Sequence, residues 1–348
     1  MLQASKISCY ITIRKSIRHK QTVNEYKMDI AIFGAGSTGC YLAGQLCLSG
    51  LQVSLICRQA IKLKIIANNG ITMTDYNGFK QTIMPQALIT DINKESSING
   101  KFDLVFVTLK CHQVSTIANQ LMAITHDNSS IVFMQNGLGS FDSIKDSLDH
   151  YSLLQGITPF NVLQLPNAVF HKGTEGVFTL QANPHTIAIQ SALVSHGFGC
   201  DIEADFTPMI YGKLLLNLNN ALNAVTDLPI KQQLSHYKNR RMLAKAMKEW
   251  LAVCEAADIQ LHQYTKVKPT WLPTILSLPN VLFNVLAKQM LDIDPKARSS
   301  MWEDIQTKRK TEVDYINGAV VSIGKKYGIK TPVNQSIVEQ IKQLEQQH

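Results

Sequence analysis

The stretch Asp29-Ile30-Ala31-Ile32-Phe33-Gly34-Ala35-Gly36-Ser37-Thr38-Gly39 decides how this chain folds. A short apolar run enters glycines 34, 36 and 39, and residues 37–48 then read as a helix with Gly50 just past its end. A run of that kind, closed by GxGxxG and opening a helix, specifies a strand, a tight turn and a helix N-terminus. Gly34 suits the turn, Gly36 clears the space through which a pyrophosphate approaches, and Gly39 lets helix and strand pack closely. With Ala35, Ser37 and Thr38 they form a backbone loop at the positive end of the helix, so this is the candidate dinucleotide site.

Working outward, residues 51–57 form a second apolar strand, which completes a βαβ unit of about 30 residues. A carboxylate at the end of this strand would take the ribose hydroxyl of NAD, but the chain has Arg58 there, with Lys62 and Lys64 close behind. A guanidinium grips a 2′-phosphate that a carboxylate would repel, so NADP(H) is the expected cofactor. Further apolar runs at 103–109 and 130–134, separated by a helical stretch at 114–124, imply a parallel sheet covered on both faces. Between 151 and 190 short alternating strands, among them 168–170 and 177–180, are expected to extend or edge that sheet. Beyond 205 the pattern is helical, with segments near 207–226, 239–257, 280–291, 299–309, 312–327 and 333–346. The expected fold is α/β: an extension over 1–27, a Rossmann-type NADP-binding domain over 28–205, and an all-helical substrate domain over 206–348.

Composition removes other classes. The chain has 348 residues, 45% hydrophobic and 17% charged, which excludes disordered and collagen-like readings. No apolar run approaches the ~18 residues of a membrane span. The net charge of +8 looks like a nucleic-acid signal, but +5 of it sits in residues 1–27, and the remainder is too dispersed for a phosphate-binding footprint. Lys238, Arg240, Arg241, Lys245 and Lys248 alternate with apolar residues at helical spacing and read as a solvated helix face. The Ser/Lys/Arg-rich leader faintly resembles a transit peptide, yet Met28 directly precedes the first strand, so a poorly ordered extension or a misassigned upstream start is expected. Seven scattered cysteines without a CxxC pair point to a reducing compartment, the cytoplasm, and away from structural zinc.

Five segments carry a resemblance: residues 34–39, Val107-Thr108-Leu109-Lys110, Gln135-Asn136-Gly137, Tyr211-Gly212-Lys213-Leu214 with Asn217, and Thr311-Glu312-Val313-Asp314-Tyr315-Ile316-Asn317-Gly318. Together they resemble the ketopantoate reductase (2-dehydropantoate 2-reductase) family over about residues 28–330. The resemblance implies NADPH-dependent reduction of ketopantoate to (R)-pantoate on the way to pantothenate and coenzyme A. It implies Lys213 as general acid, Asn217 and Ser300 as substrate contacts, and Glu312 on the substrate hydroxyl or the lysine. It places Asn136 and Lys110 against nicotinamide or substrate. The partner implied is a small 2-keto acid, with no nucleic acid or membrane, and a homodimer is compatible with it.

The residues support that assignment independently. Hydride arriving at a ketone leaves charge on oxygen, which a positioned ammonium stabilises and protonates, and Asn217 lies one helical turn beyond Lys213. Thr311-x-x-Asp314 reads as a variant capping box that starts a helix, and Asn317-Gly318 within it suggests close approach of a backbone or the cofactor. In one continuous helix Ser300 and Glu312 would stand about 18 Å apart, so a chain break near 308–311 is required if both touch one small molecule. One departure matters: better-known family members carry a second asparagine eight residues after the lysine, and here that position is Ala221. Two alternatives stay open, a paralogue reducing another 2-keto or 3-keto acid and a non-catalytic NADP(H)-binding sensor.

Overall fold

The computed structural model describes residues 28–95, 98–286 and 295–347. The leader, and the part of the expected 280–291 helix beyond 286, lie outside them. The first strand, β1 (Ile30–Phe33), ends at the glycine loop, and helix α1 (Ser37–Leu48) follows with the bounds expected of it. Strands β2 (Val53–Ile56), β6 (Phe102–Val107) and β7 (Thr125–Phe133) pair in parallel around β1. With β5 (Ala87–Ile89), β8 (Ser152–Ile157), β11 (Phe178–Gln181) and β12 (Cys200–Glu203) they build an eight-stranded sheet of order β12-β11-β8-β7-β6-β1-β2-β5. All its pairs are parallel except β8 with β11.

Alternation along the strands divides the core. Ile30, Ile32, Leu104, Phe106 and Val132 face one apolar cluster, whereas Ala31, Phe33, Val105, Val107, Ile131 and Phe133 face another. Burial on both faces explains why these strands read as unbroken apolar runs.

One expectation is corrected. The segment at 168–170 does not extend the main sheet: β10 (Val169–Lys172) joins β3 (Ile71–Asp75), β4 (Lys80–Ile83) and β9 (Val162–Leu165) in a separate four-stranded sheet. Gly44 of α1 is where this small sheet packs, since any β-carbon there would strike Met73 of β3.

From Phe206 onward the described chain is helical. The helix Thr207–Thr226 buries Leu214, Leu215, Leu218, Ala221 and Leu222 against Tyr237–Ala256, where Trp250 is fully buried and donates Nε1–H to the Tyr211 carbonyl at 3.0 Å. Arg240 is also buried, on the side of the second helix that faces residues 276–283, not on the solvated face expected of it. Its guanidinium is 0% exposed, donates to the carbonyls of Leu234, Leu276 and Leu278, and lies 4.1 Å from the Phe283 ring centroid. Short helices Ile230–Ser235, Leu272–Leu276, Asn280–Leu286 and Ser300–Gln306 and the longer Asn317–Lys326 and Pro332–Gln346 complete this part.

The expected capping box at Thr311 does not form a helix start. Thr311 Oγ1 accepts from the Val313 N–H at 3.3 Å, while the Asp314 carboxylate pairs with Lys342 at 2.7 Å and so cannot cap. The result is a 3₁₀ turn, Val313–Tyr315, and a helix that begins only at Asn317. The close neighbour of Gly318 belongs to that same turn: its β-carbon would sit 3.2 Å from the Val313 carbonyl oxygen.

Candidate active site

The glycine loop has the shape its sequence requires. Gly34 adopts φ +123°, and Thr108 Oγ1 donates to its carbonyl at 2.6 Å, tying the loop to the end of β6. A β-carbon on Gly39 would collide with that same carbonyl, whereas around Gly36 there is no atom within 4 Å of where one would stand. Gly36 also offers no side-chain cap to α1, so no capping side chain takes up its first-turn N–H groups. An uncapped helix start beneath a vacant glycine is a cradle that a pyrophosphate fits. Arg58 lies exposed at the end of β2, at the N-cap of the helix Gln59–Ala67.

At the far ends of β6 and β7 the two halves of the chain meet. Lys110, just beyond β6, reaches across to Asp304 at 2.8 Å and to Glu312 at 3.5 Å. Glu312, buried, also accepts from the backbone N–H of Cys111 at 3.0 Å, and Asp304, 2% exposed, faces Arg309 at 3.3 Å. Burial opposes the charge on Lys110, but the two carboxylates outweigh it and hold its pKa above the usual lysine value. Burial pushes the Asp304 carboxyl up, an effect that Lys110 and Arg309 partly offset. Lys110, expected against cofactor or substrate, is therefore directed to a carboxylate pair, and Glu312 reaches Lys110 instead of Lys213.

Beyond β7, Gln135 donates to the carbonyls of Val107 and Leu109 at 2.8 and 3.0 Å, which fixes the end of β6 to the end of β7. Asn136 follows, its Oδ1 facing Asn217 Nδ2 at 3.4 Å and its carbonyl receiving Cys111 Sγ–H at 3.0 Å. Gly137, at φ +86°, leaves no room for a β-carbon beside the Tyr315 carbonyl, and Leu138 N–H donates to that carbonyl at 2.8 Å. Gln135, Asn136, Gly137 and Ile157 from the sheet side and Ile210 and Lys213 from the helical side line one small cleft.

Lys213 is half-buried there, and among the described residues it has no hydrogen bond or ion pair. Burial alone lowers its pKa from the usual lysine value to about 8. An ammonium held this way gives up its proton far more readily than a solvated lysine. The next residue but three, Asn217, is 7% exposed and carries the bridge to Asn136.

Ser300 is exposed at the first position of its helix, while Ser299 before it is the buried cap, accepting from Trp302 N–H at 3.1 Å. The chain break needed between Ser300 and Glu312 is present: the helix ends at Gln306, Lys308 takes φ +53°, and Arg309 N–H folds back on the Asp304 carbonyl at 2.8 Å. Sequence reasoning missed Asp304, Gln135 and Cys111. Only Gln135 had a signal, its place in the Gln-Asn-Gly triplet; nothing marks Asp304 as the partner of a lysine 194 residues away.

Comparison with known proteins agrees with this architecture. The family profile described as ketopantoate reductase PanE/ApbA matches residues 30–185, and the corresponding C-terminal profile matches residues 205–345. The chain belongs to the ketopantoate reductase family. A 2-dehydropantoate 2-reductase of Vibrio cholerae is 29% identical over 338 residues, covering 92% of this chain and 98% of the relative. Among solved structures, a ketopantoate reductase of this family from Ralstonia eutropha superposes with a TM-score of 0.75 at 22% identity, covering 92% of this chain and 100% of that one. A D-mandelate dehydrogenase solved with NADH and anilino(oxo)acetate superposes at 0.72 and 22% identity, covering 92% and 99%. At those identities the structures show a shared fold. Among the described residues of this chain no helix is long and apolar enough to cross a membrane.

Proposed function

We propose that this chain reduces ketopantoate with NADPH to (R)-pantoate, a step toward pantothenate and coenzyme A, in the cleft between its sheet and helical parts. The observation that carries the proposal is Lys213: a desolvated ammonium without a partner among the described residues, lining the same cleft as Asn136 and Gly137. The glycine loop and the α1 N-terminus hold the pyrophosphate, and Arg58 takes the 2′-phosphate. Bound NADPH supplies the hydride to the keto carbon. Lys213 hydrogen-bonds the keto oxygen, stabilises the charge that grows on it and delivers the proton. Asn217 and Asn136 fix the geometry around that oxygen, Ser300 takes the carboxylate, and Glu312, anchored by Cys111 and Lys110, faces the substrate from the opposite wall.

The nearest rival is a sister reductase of another 2-keto acid, favoured by Ala221 in place of an amide and by the fold shared with a mandelate dehydrogenase. Steady-state NADPH oxidation with ketopantoate and a panel of 2-keto acids separates the two. The expected result is the highest kcat/KM for ketopantoate; turnover confined to another keto acid would move the chain to the sister activity, and tight NADPH binding without any turnover would make it a sensor.

Arg58 gives a separate expectation. A charge-assisted bond to phosphate contributes about 1.5–3 kcal/mol. Arg58→Glu is therefore expected to lower kcat/KM for NADPH by about ten- to hundredfold and leave NADH use equal or improved. Equal losses with both cofactors would place the 2′-phosphate elsewhere.

A further inference from the structure

The helices Tyr237–Ala256 and Pro332–Gln346 are tied together by Glu249, which accepts from the Val333 and Asn334 N–H groups at 2.8 and 2.9 Å. Asn334 adds a bond to the Ala246 carbonyl at 3.0 Å. Toward solvent the two helices leave a groove of about 490 Å³, which shares no lining residue with the cleft. Lys238, Arg241 and Lys245 line one wall, at i, i+3 and i+7 on a single stripe of the first helix. Met242, Val333 and Ile337 make the groove apolar beneath them, and Tyr237, 41% exposed, adds an aromatic face.

The charge in this groove is one-sided. None of its three cations pairs with a carboxylate among the described residues, and no acidic residue lines it. Of the carboxylates on the same helices, Glu249 is committed to the start of the second helix, Glu339 accepts from Gln335 Nε2 at 3.1 Å, and Glu345 holds the Thr311 N–H at 2.7 Å. The Arg241 guanidinium lies 5.6 Å from the Tyr237 ring centroid, close enough for the ring to steer its planar fork. Three like charges on one stripe repel one another, and an anion between them relieves that repulsion. The leader of the chain, with six basic residues to one acidic, has the wrong sign to fill the groove.

We propose that this groove is a second ligand site, which binds a soluble phosphomonoester with an aromatic body. Arg241 presents a fork of donors that matches phosphate oxygens, and Lys238 and Lys245 add point charges on either side of it. The apolar residues and the Tyr237 ring take the body of the ester. The volume lies within the roughly 300–1,000 Å³ of small-molecule sites and far exceeds what a bare phosphate fills. The site stands apart from the cleft, so it binds with the cofactor in place and whichever keto acid the cleft reduces.

The test is calorimetric titration of the full chain, saturated with NADP⁺ so that the glycine loop and Arg58 are occupied, with 1-naphthyl phosphate as the probe. 1-Naphthol supplies the body without the charge, and inorganic phosphate the charge without the body. The ester is expected to bind at one site per chain, at least about tenfold more tightly than either control. Arg241→Glu, a change at an exposed position, is expected to weaken the ester about ten- to hundredfold, the loss that one charge-assisted bond to phosphate implies. Lys238→Gln with Lys245→Gln is expected to weaken it less, and NADPH affinity, measured for each variant as a check on folding, to stay at the wild-type value. No binding of the ester at millimolar concentration, or an affinity unchanged in Arg241→Glu, would overturn the proposal. Capture of the protein by phosphatidic acid vesicles without binding of the soluble ester would overturn it in favour of a lipid headgroup.

Discussion

Lys213→Met is expected to abolish turnover and to make the protein more stable. A positioned general acid contributes about 10²- to 10⁴-fold, so kcat should fall by that factor while NADPH affinity, set by the glycine loop and Arg58, stays near wild type. The stability gain follows from the lowered pKa. The folded chain holds Lys213 at about 8 and the unfolded chain at about 10.4, so between those pH values the unfolded state binds the extra proton and stability rises with pH. Below pH 8 the cost of the half-buried charge is fully present. Residual solvent contact screens that cost. Removing it at pH 7 should raise Tm by about 2–4 °C, the shift that about 1 kcal/mol produces in a domain of this size. The difference between variant and wild type should shrink as pH approaches 10. In the wild type, kcat/KM for reduction should fall about tenfold per pH unit above pH 8, where the acid is spent. A variant that loses activity and stability together would show that Lys213 is a structural side chain.

Gly137→Ala is expected to be the most damaging single-methyl change in the cleft. The residue sits at φ +86°, and the added carbon would strike the Tyr315 carbonyl, which already accepts from Leu138 N–H. The left-handed backbone costs an alanine about 1 kcal/mol, and losing the hydrogen bond costs about another. Relief of the collision can only come by moving Asn136 away from the Glu312–Tyr315 turn, and a misplacement of about 1 Å is worth roughly a hundredfold in rate. Gly139 is the internal control. It has φ +93° but no atom within 4 Å of its added carbon, so Gly139→Ala carries the backbone cost without the collision. Activity and Tm measured for both should separate the two contributions; equal behaviour would show that the Gly137 contact does not hold the cleft.

The elements that the sequence showed clearly are those whose cause is local. The glycine loop, α1 and the helix Thr207–Thr226 lie where their caps, glycines and apolar periods put them. The second sheet was less legible because β4 is nearly all polar and exposed and β9 is mostly exposed, so neither shows an apolar run. The helix Pro184–Ser195 begins inside a stretch read as short strands and was missed, although Asn183 caps it, its Oδ1 accepting from His185 N–H, and Pro184 takes the first position. Thr311-x-x-Asp314 misled because three distant partners decide that turn: Lys342 takes Asp314, and Lys110 with Cys111 takes Glu312. Lys110 was legible as a strand-end cation but not as a bridge, since its carboxylates come from a separate part of the chain.

Transfer of label from NADPH bears most directly on the account. With the pro-reactive C4 hydrogen of NADPH replaced by deuterium, incubation with ketopantoate should give pantoate carrying one deuterium at C2, in proportion to cofactor consumed and at a rate lost in Lys213→Met. Cofactor consumption without deuterium in pantoate, or labelled pantoate formed equally fast by Lys213→Met, would contradict it.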